Sequence, residues 1–223
     1  METKVETRPS RKGIILREAA RLFREKGYRA STLRELARRS GVKGGSIYYH
    51  FASKQEILYR IMDETLSNLL SGLEQETREE RDPVRRLNRA IAFHIRYHLE
   101  SQNETHVADT ELINLEEDRR RRIVRRRADY EQTFSGIIEE GVRAGVMEVG
   151  SVKLAGIAIL QMCTGVPYWF NEEGPLSVDE VVARYVDFIF WGVLGRAERD
   201  GDVWAGPAGG RETPVGGGGR QAE

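Results

Sequence analysis

The sequence predicts an all-α fold, and three observations support that prediction. Apolar residues recur at helical spacing in each long segment, no segment alternates apolar and polar residues as a strand does, and turn residues separate the segments. The clearest pattern covers residues 32–51, where two short helices join at Gly41. This arrangement is typical of a helix-turn-helix, so we expect a three-helix unit followed by a larger helical domain.

The composition indicates a soluble helical protein of one or two domains. The chain has 223 residues, of which 39% are hydrophobic and 31% charged. No apolar run reaches the roughly 18 residues of a membrane span. The polar start over residues 1–11 has no apolar segment behind it, which argues against a secretory signal. Cys163 is the one cysteine and forms no intrachain disulfide, so we expect a cytoplasmic protein.

The charge is divided unevenly along a chain whose formal net charge is zero. Residues 1–60 contain 15 Lys and Arg against 6 Asp and Glu, a net charge of +9. The remaining residues contain 20 against 29, a net charge of −9. A basic N-terminal unit on an acidic remainder indicates an anionic partner at the N-terminal end, and double-stranded DNA fits a helix-turn-helix.

Capping signals define the first two helices. The first is predicted over residues 11–26 and ends at Gly27. Thr32 and Glu35 form a capping-box pattern that starts the second helix, and Gly41 supplies the left-handed residue that ends it.

The third helix is predicted from Lys43 or Gly44 to Phe51. Ile47 and Phe51 face inward in this assignment, and at 100° per residue Gly45 and Tyr49 point outward. A second helix with small residues at its start and exposed aromatic residues fits the major groove of DNA.

The chain as far as residue 195 predicts six further helices. Ser53 with Glu56 opens the fourth helix and Asp82-Pro83 starts the fifth. The predicted helices cover residues 53–80, 83–100, a shorter piece after 101–103, 116–144, 152–170 and 177–194. We therefore divide the chain into a flexible arm (1–10), the helix-turn-helix domain (11–57), a helical domain (58–195) and a tail (196–223). Glycine makes up 8 of the 28 tail residues, which predicts disorder.

A longer pattern extends the helix-turn-helix over about 45 residues, carried by Phe23, Gly27, Thr32, Glu35, Leu36, Ala37, Gly41, Val42, Ile47, Tyr48, Tyr49, His50, Phe51, Lys54 and Leu58. By these residues the chain resembles the TetR family of bacterial transcriptional repressors. The resemblance implies an all-α protein with an N-terminal DNA-binding domain and a helical ligand-binding and dimerisation domain. It also implies a homodimer that binds a palindromic DNA operator.

The resemblance carries over a set of DNA contacts. It places four residues in the major groove, three against phosphates or base methyl groups and two on the flanking backbone: Lys43, Gly44, Gly45 and Ser46; Tyr48, Tyr49 and His50; Thr32 and Lys54. Glycines allow close approach to DNA and tyrosine hydroxyls donate to phosphates. The alternative for Tyr48 and His50 is that they brace the third helix against its neighbours.

The C-terminal half is similar to one branch of the family, through Phe134, Ile137, Gly141, Gly145, Tyr168-Trp169-Phe170 and Gly174-Pro175-Leu176. That branch represses fatty-acid, phenylacetate and steroid degradation and answers to coenzyme A thioesters. The positions where its steroid members carry arginine and tryptophan are Leu160 and Thr164 here, which disfavours a steroid ligand. Seven apolar or aromatic residues are expected around the effector, or alternatively in the core: Phe93, Tyr97, Tyr130, Phe134, Met162, Val166 and Trp169.

Two charged or metal-binding patterns have more than one interpretation. Seven arginines lie in residues 118–127, and neighbouring acids favour a salt-bridged helix face. The alternative places one or two of these arginines on coenzyme A phosphates. His94 and His98 stand four residues apart, as metal ligands can, but no acidic ligand is suitably spaced. We expect neither a metal nor a cofactor.

We interpret the chain as a ligand-responsive transcriptional repressor, released from its operator by a small hydrophobic or acyl-CoA-type effector. The alternative is a multidrug or other hydrophobic-ligand-sensing repressor of an efflux gene. An enzyme is disfavoured because the chain lacks G-x-S-x-G, phosphate-loop, CxxC and HExxH motifs. A helical interaction protein without specific DNA binding is the remaining class. The last two helices are expected to form the dimer interface, and the fourth helix to connect the two sites.

Overall fold

The computed structural model describes residues 10–195, and within that range the chain forms nine α-helices and no strand. The all-α prediction is confirmed. The predicted arm, apart from Ser10, and the predicted tail lie outside the described residues. The helices are α1 (Arg11–Lys26), α2 (Leu33–Arg39), α3 (Gly44–His50), α4 (Lys54–Thr77), α5 (Pro83–Glu100), α6 (Gln102–Thr110), α7 (Glu117–Arg143), α8 (Val152–Thr164) and α9 (Val178–Phe188).

The helices α1–α3, which we call the recognition unit, pack around a small apolar core. Leu22, Phe23, Leu36, Ile47 and Phe51 are at most 2% exposed. Burial on this scale stabilises the unit by about 1.5–3 kcal/mol for each large side chain. This core fixes the direction of α3, because Ile47 and Phe51 lie on its inner face as predicted.

The predicted helix starts are confirmed except that of α6, although the caps differ in detail. The Thr32 side chain accepts a hydrogen bond from the Glu35 N–H at 3.2 Å, whereas the Glu35 carboxylate binds Lys26 and not the cap backbone. Ser177 and Glu180 form both halves of a capping box. Gly41 ends α2 with a φ of +64°, a backbone conformation that favours glycine.

The helices α4–α9, which we call the body, contain the second part of the core. The long helix α4 packs against α5, α6 and α7, and it also contacts α1. The boundary predicted between residues 57 and 58 falls inside α4, so this helix belongs to both parts of the molecule. Gly72 lets the Phe93 ring lie directly on α4, since a methyl group at that position would overlap the ring.

Two predicted helices are shorter than expected. α8 ends at Thr164 and not at Phe170, and Val166–Tyr168 form a 3-10 turn. Pro167 explains this end because proline has no N–H and disfavours helix at the residue before it.

At the N-terminal end of α6, the expected break over 101–103 is only one residue, because α6 already begins at Gln102.

α9 ends at Phe188 and not at Leu194, and a π-helical turn follows over Ile189–Val193. The Leu194 N–H donates to the Ile189 carbonyl oxygen at 2.9 Å, five residues back. The wider turn brings Ile189 and Leu194 to the same side, where both are at most 1% exposed. None of the helices within residues 10–195 is long and apolar enough to cross a membrane.

Candidate nucleic-acid interface and effector region

The outer face of α3 is open to solvent. Tyr49 is 87% exposed and Tyr48 is 62% exposed, while His50 is half-buried and its ring meets Tyr49 edge-on at 5.1 Å. Lys43 precedes the helix and is exposed. The two tyrosines therefore project from α3 and do not brace it, which leaves the bracing alternative only to His50.

Gly44 and Gly45 open α3 on the same outer face. A Cβ atom built on either glycine would meet no atom within 4 Å, and neither residue has a positive φ. Neither the backbone conformation nor the packing of this chain therefore requires glycine there. Glycine costs about 0.5–1 kcal/mol relative to alanine inside a helix. The absence of side chains at the start of α3 therefore allows another molecule to approach the helix backbone closely.

Thr32 and Lys54 lie at the edges of the recognition unit. The exposed Thr32 caps α2. The Lys54 ammonium donates to the Ser31 carbonyl oxygen at 2.5 Å and lies 4.2 Å from the centre of the Tyr28 ring. Burial lowers the pKa of Lys54. This lysine therefore binds the turn between α1 and α2, a contact that the sequence pattern did not indicate.

Some basic side chains of the recognition unit form ion pairs, and others are exposed without an ion-pair partner in the described residues. Arg39 binds Glu25 at 2.7 Å and Glu35 at 3.4 Å, and the Lys26 hydrogen bond lowers the pKa of Glu35. Arg34 and Arg38 are exposed on α2 and form no ion pair within the described residues. The positive charge of Arg34 and Arg38 is therefore available to a phosphate backbone at the surface of α2.

The seven residues predicted around an effector are distributed between the core and the outer face of the body. Tyr130, Phe134 and Val166 are buried and Phe93, Tyr97 and Met162 are half-buried, whereas Trp169 is 52% exposed. Trp169 stacks on Tyr185 with ring centres 6.2 Å apart. Tyr97 borders a cleft of about 340 Å³ between α1, α4, α5 and α6.

A buried polar cluster lies among these residues. The His94 Nδ1 hydrogen-bonds the Tyr130 hydroxyl at 2.9 Å, and its Nε2 hydrogen-bonds the Thr164 hydroxyl at 3.0 Å. His98 Nδ1 lies 2.9 Å from the His94 carbonyl oxygen. Burial lowers the pKa of His94 well below its usual range, and it lowers that of His98 to about 4. Both histidines are therefore neutral in the folded protein at neutral pH.

His94 and His98 both form hydrogen bonds within this buried polar cluster. Within residues 10–195 no group of three or more His, Cys, Asp or Glu side chains is arranged to hold a metal ion. A cavity of about 20 Å³ lies beside His98 and Thr164, close to Arg24 of α1, and has room for about one water molecule. In the sequence, the only indication of this cluster is the four-residue spacing of the two histidines on an apolar helix face. The contact of His94 with Thr164 results from tertiary packing and could not be predicted.

The arginine-rich start of α7 forms ion pairs, as predicted. Residues 119–121 pair with acids on the same helix turn, and Arg119 also lies over the Tyr59 ring. Arg126 reaches Asp63 of α4 at 2.8 Å, and Arg127 donates to the Ala108 carbonyl of α6. Arg122 and Arg125 are exposed and have no ion pair in the part of the chain that the structure describes.

The outer faces of α8 and α9 expose large apolar side chains. Leu154 on α8 is 67% exposed, and Phe188 at the end of α9 is 61% exposed. Trp191 follows in the π-helical turn and is 52% exposed. Exposed apolar groups of this size, on the two helices predicted to form a dimer interface, are typical of a surface that another chain covers.

Comparison with known proteins matches both parts of the chain. Residues 15–61 match the family model described as bacterial regulatory proteins, tetR family, and residues 80–193 match the model described as tetracyclin repressor-like, C-terminal domain.

Among curated relatives, the transcriptional activator FasR of Mycolicibacterium smegmatis is 29% identical, over 84% of this chain and 84% of the relative. The transcriptional repressor KstR2 of Mycobacterium tuberculosis is 28% identical, over 82% and 93%. The fatty acid metabolism regulator protein of Bacillus subtilis is 27% identical, over 63% and 73%.

Solved structures share the fold. The TetR family transcriptional regulator PfmR from Thermus thermophilus is 35% identical, with a TM-score of 0.74 over 83% of this chain and 99% of that one. AibR in complex with isovaleryl coenzyme A and operator DNA has a TM-score of 0.75 at 21% identity, over 81% and 98%, which shows a common fold.

Proposed function

This chain belongs to the TetR family of DNA-binding transcriptional regulators, and we propose that it is a dimeric repressor released from a palindromic operator by a coenzyme A thioester. The family membership confirms the interpretation of a regulator rather than an enzyme. The direction of regulation belongs to the proposal, since one relative carries the name of an activator and another that of a repressor.

The observation that carries the DNA-reading part of the proposal is the open start of α3. Gly44 and Gly45 are free of any packing requirement, and the exposed Tyr48 and Tyr49 follow them about one helical turn later. In a major groove the glycines let the helix backbone approach the base edges, while the tyrosine hydroxyls donate to phosphates. Lys43 and Ser46 stand at the same end of α3, where a phosphate is favoured.

The remaining proposed contacts lie at the last turn of α3, the start of α2 and the start of α4. His50 is half-buried at the last turn of α3, and Thr32 is exposed at the start of α2. Lys54 acts through the turn that it binds, since its ammonium holds the Ser31 carbonyl beside Thr32. Most of the affinity then comes from phosphates and falls steeply with salt.

The dimer part of the proposal rests on the apolar outer faces of α8 and α9. A second copy related by a two-fold axis would cover Leu154, Phe188 and Trp191 with the same residues. Two recognition helices in such a dimer bind half-sites about 34–36 Å apart. The proposed operator is therefore a palindrome with half-sites centred one DNA turn apart.

The effector part of the proposal rests on the body and on relatives. A relative 27% identical carries the name of a fatty acid metabolism regulator. Tyr130 and Phe134 of α7 and Val166, which follows α8, are buried in the body, so an acyl chain enters by parting the helices around them. Arg122 and Arg125 are the arginines of the charged run available to the coenzyme A phosphates. A ligand that prefers the parted body then shifts the population away from the DNA-binding state.

The test begins with selection of a DNA site from random duplexes by the full-length protein. We expect a palindrome bound by two chains, and binding without any sequence preference would contradict the proposal. In Gly45→Ala we expect operator affinity to fall about tenfold, because a methyl group obstructs the close approach. Fluorescence anisotropy of the labelled duplex gives the affinities.

Gly136→Ala is the matched control, because Gly136 lies in α7 and its Cβ would also meet no atom within 4 Å. Alanine stabilises both positions by about 0.4–1 kcal/mol where the backbone tolerates it. The control keeps full operator affinity. If Gly45→Ala also keeps it, the start of α3 does not approach DNA closely.

A further inference from the structure

We infer that Glu111 and Asn114, which lie between α6 and α7, hold the recognition unit in the orientation that reads DNA. We call these two residues the junction clamp. They are positioning residues, since they act on the recognition helix through the turn between α1 and α2. The inference rests on the proposed function and assigns control of DNA binding to two side chains that lie outside α3.

The Glu111 carboxylate binds the backbone of the recognition unit. Its Oε1 accepts a hydrogen bond from the Tyr28 N–H at 3.0 Å. Its Oε2 accepts one from the Asn114 side-chain amide at 2.5 Å. Tyr28 is buried, and the N–H of a buried residue costs free energy when it loses its partner.

Asn114 adds two further contacts to the same region. Its Oδ1 accepts a hydrogen bond from Arg29 Nε at 2.7 Å, and its backbone carbonyl accepts one from the Gln55 side chain at 2.7 Å. The Gln55 Oε1 in turn accepts from the Glu116 N–H at 3.1 Å. The segment before α7 is therefore bound both to the α1–α2 turn and to the start of α4.

The turn that the clamp holds leads directly into the helices that read DNA. Gly27 has a φ of +79°, and the Ser31 hydroxyl donates to the Gly27 carbonyl at 2.7 Å, so the turn is itself well defined. Lys54 binds the Ser31 carbonyl from the side of α4. α2 begins at Leu33, two residues after Ser31. A shift of the turn therefore moves α2 and α3 together.

The clamp lies where the effector region of the body can act on it. Residues 111–116 connect α6 to α7, and α7 carries Tyr130 and Phe134 of the proposed effector region. At its other end α6 is bound to α1, because Arg24 donates to the side chains of Gln102 and Asn103 at 3.2–3.3 Å. A movement of α7 relative to α6 therefore acts on the clamp, because Glu111 and Asn114 lie in the connection between these two helices.

The test compares Glu111→Ala and Asn114→Ala in the full-length protein. Anisotropy gives the affinity for the selected operator and for a scrambled duplex of the same length. We expect the ratio of the two affinities to fall about tenfold in each variant, because phosphate contacts persist while the orientation of α3 is lost. A merely structural role would lower the thermal midpoint and leave the ratio unchanged.

The control is Glu117→Ala, which removes the same charge and touches only arginines of its own helix. An equal fall of the ratio in this control would overturn the inference, and so would a wild-type ratio in both clamp variants. If Glu111→Ala does not fold, Asn114→Ala decides. A wild-type protein with no preference for its operator would instead contradict the proposed function.

A double-mutant cycle separates the clamp from a direct DNA contact of Arg29, which is exposed. If Arg29 acts through Asn114, the ratio in the Arg29→Ala, Asn114→Ala double variant equals that in Asn114→Ala. If the two losses multiply, Arg29 acts independently of Asn114 and this contact of the clamp is overturned.

Discussion

The helix α3 and the interior of the body place their proposed functional residues in opposite ways. α3 exposes Tyr48 and Tyr49 and opens on two glycines that nothing in the chain approaches. The body closes over Tyr130 and Phe134 and satisfies their polar neighbours internally. A surface that reads a rigid partner is formed before the partner arrives. In the proposed function the body responds to an effector, which requires a second arrangement in which these buried side chains part.

This difference determines what each region contributes to stability. The exposed face of α3 makes few contacts, so its substitutions affect binding more than folding. The body cluster is part of the core, so its substitutions affect both. Measurements that separate folding from binding can therefore distinguish the two regions.

The largest expected effect is the loss of stability of the body at acid pH. The pKa of His98 is lowered from 6.5 to about 4 by burial, so the unfolded chain binds a proton more readily than the folded chain. The contribution of neutral His98 to the free energy of unfolding is therefore fully present above about pH 6.5. It decreases by about 3 kcal/mol as the pH falls towards 4. His94 acts in the same direction.

Urea unfolding at several pH values measures this effect. In His98→Asn, which keeps a donor for the His94 carbonyl, the decrease between pH 6.5 and 4 becomes smaller by the share of His98. An identical decrease in the variant and the wild type would show that His98 is not the group that titrates.

A smaller effect is expected from a glycine of the body. Gly72→Ala places a methyl group against the Phe93 ring, and overpacking of this kind costs about 1–3 kcal/mol. The corresponding change at Gly45 of α3 meets no atom and is expected to stabilise the fold. Denaturant midpoints of the two variants measure this contrast in sign, and a stabilising Gly72→Ala would contradict the packing of Phe93 on α4.

Helix starts were predictable from the sequence because caps are local. Asp82 with Pro83 and Ser177 with Glu180 begin α5 and α9 where the pattern predicted. The ends of α8 and α9 were not predicted, since apolar periodicity continues through residues 165–170 and 189–194 although the hydrogen bonding changes. The π-helical turn is accompanied by the burial of Leu194, which depends on the rest of the core.

The candidate site divides along the same line. The outward face of α3 followed from the helical period alone, and Tyr49 lies where that period predicted. The contact of Lys54 with Ser31 joins residues 23 positions apart, and that of His94 with Thr164 joins residues 70 apart. Neither leaves a periodic signal. Glu111 carries no motif at all, so the junction clamp is visible only in the folded chain.

The central claim is that an effector in the body controls the open surface of α3. The most direct test is anisotropy of the labelled operator with the full-length protein, titrated with acyl-CoA thioesters from butyryl-CoA to palmitoyl-CoA and with free coenzyme A. We expect at least one thioester to weaken operator binding by about tenfold, within the usual range of allosteric coupling, and free coenzyme A to have no effect. Equal operator affinity in the presence and absence of every thioester would contradict the claim.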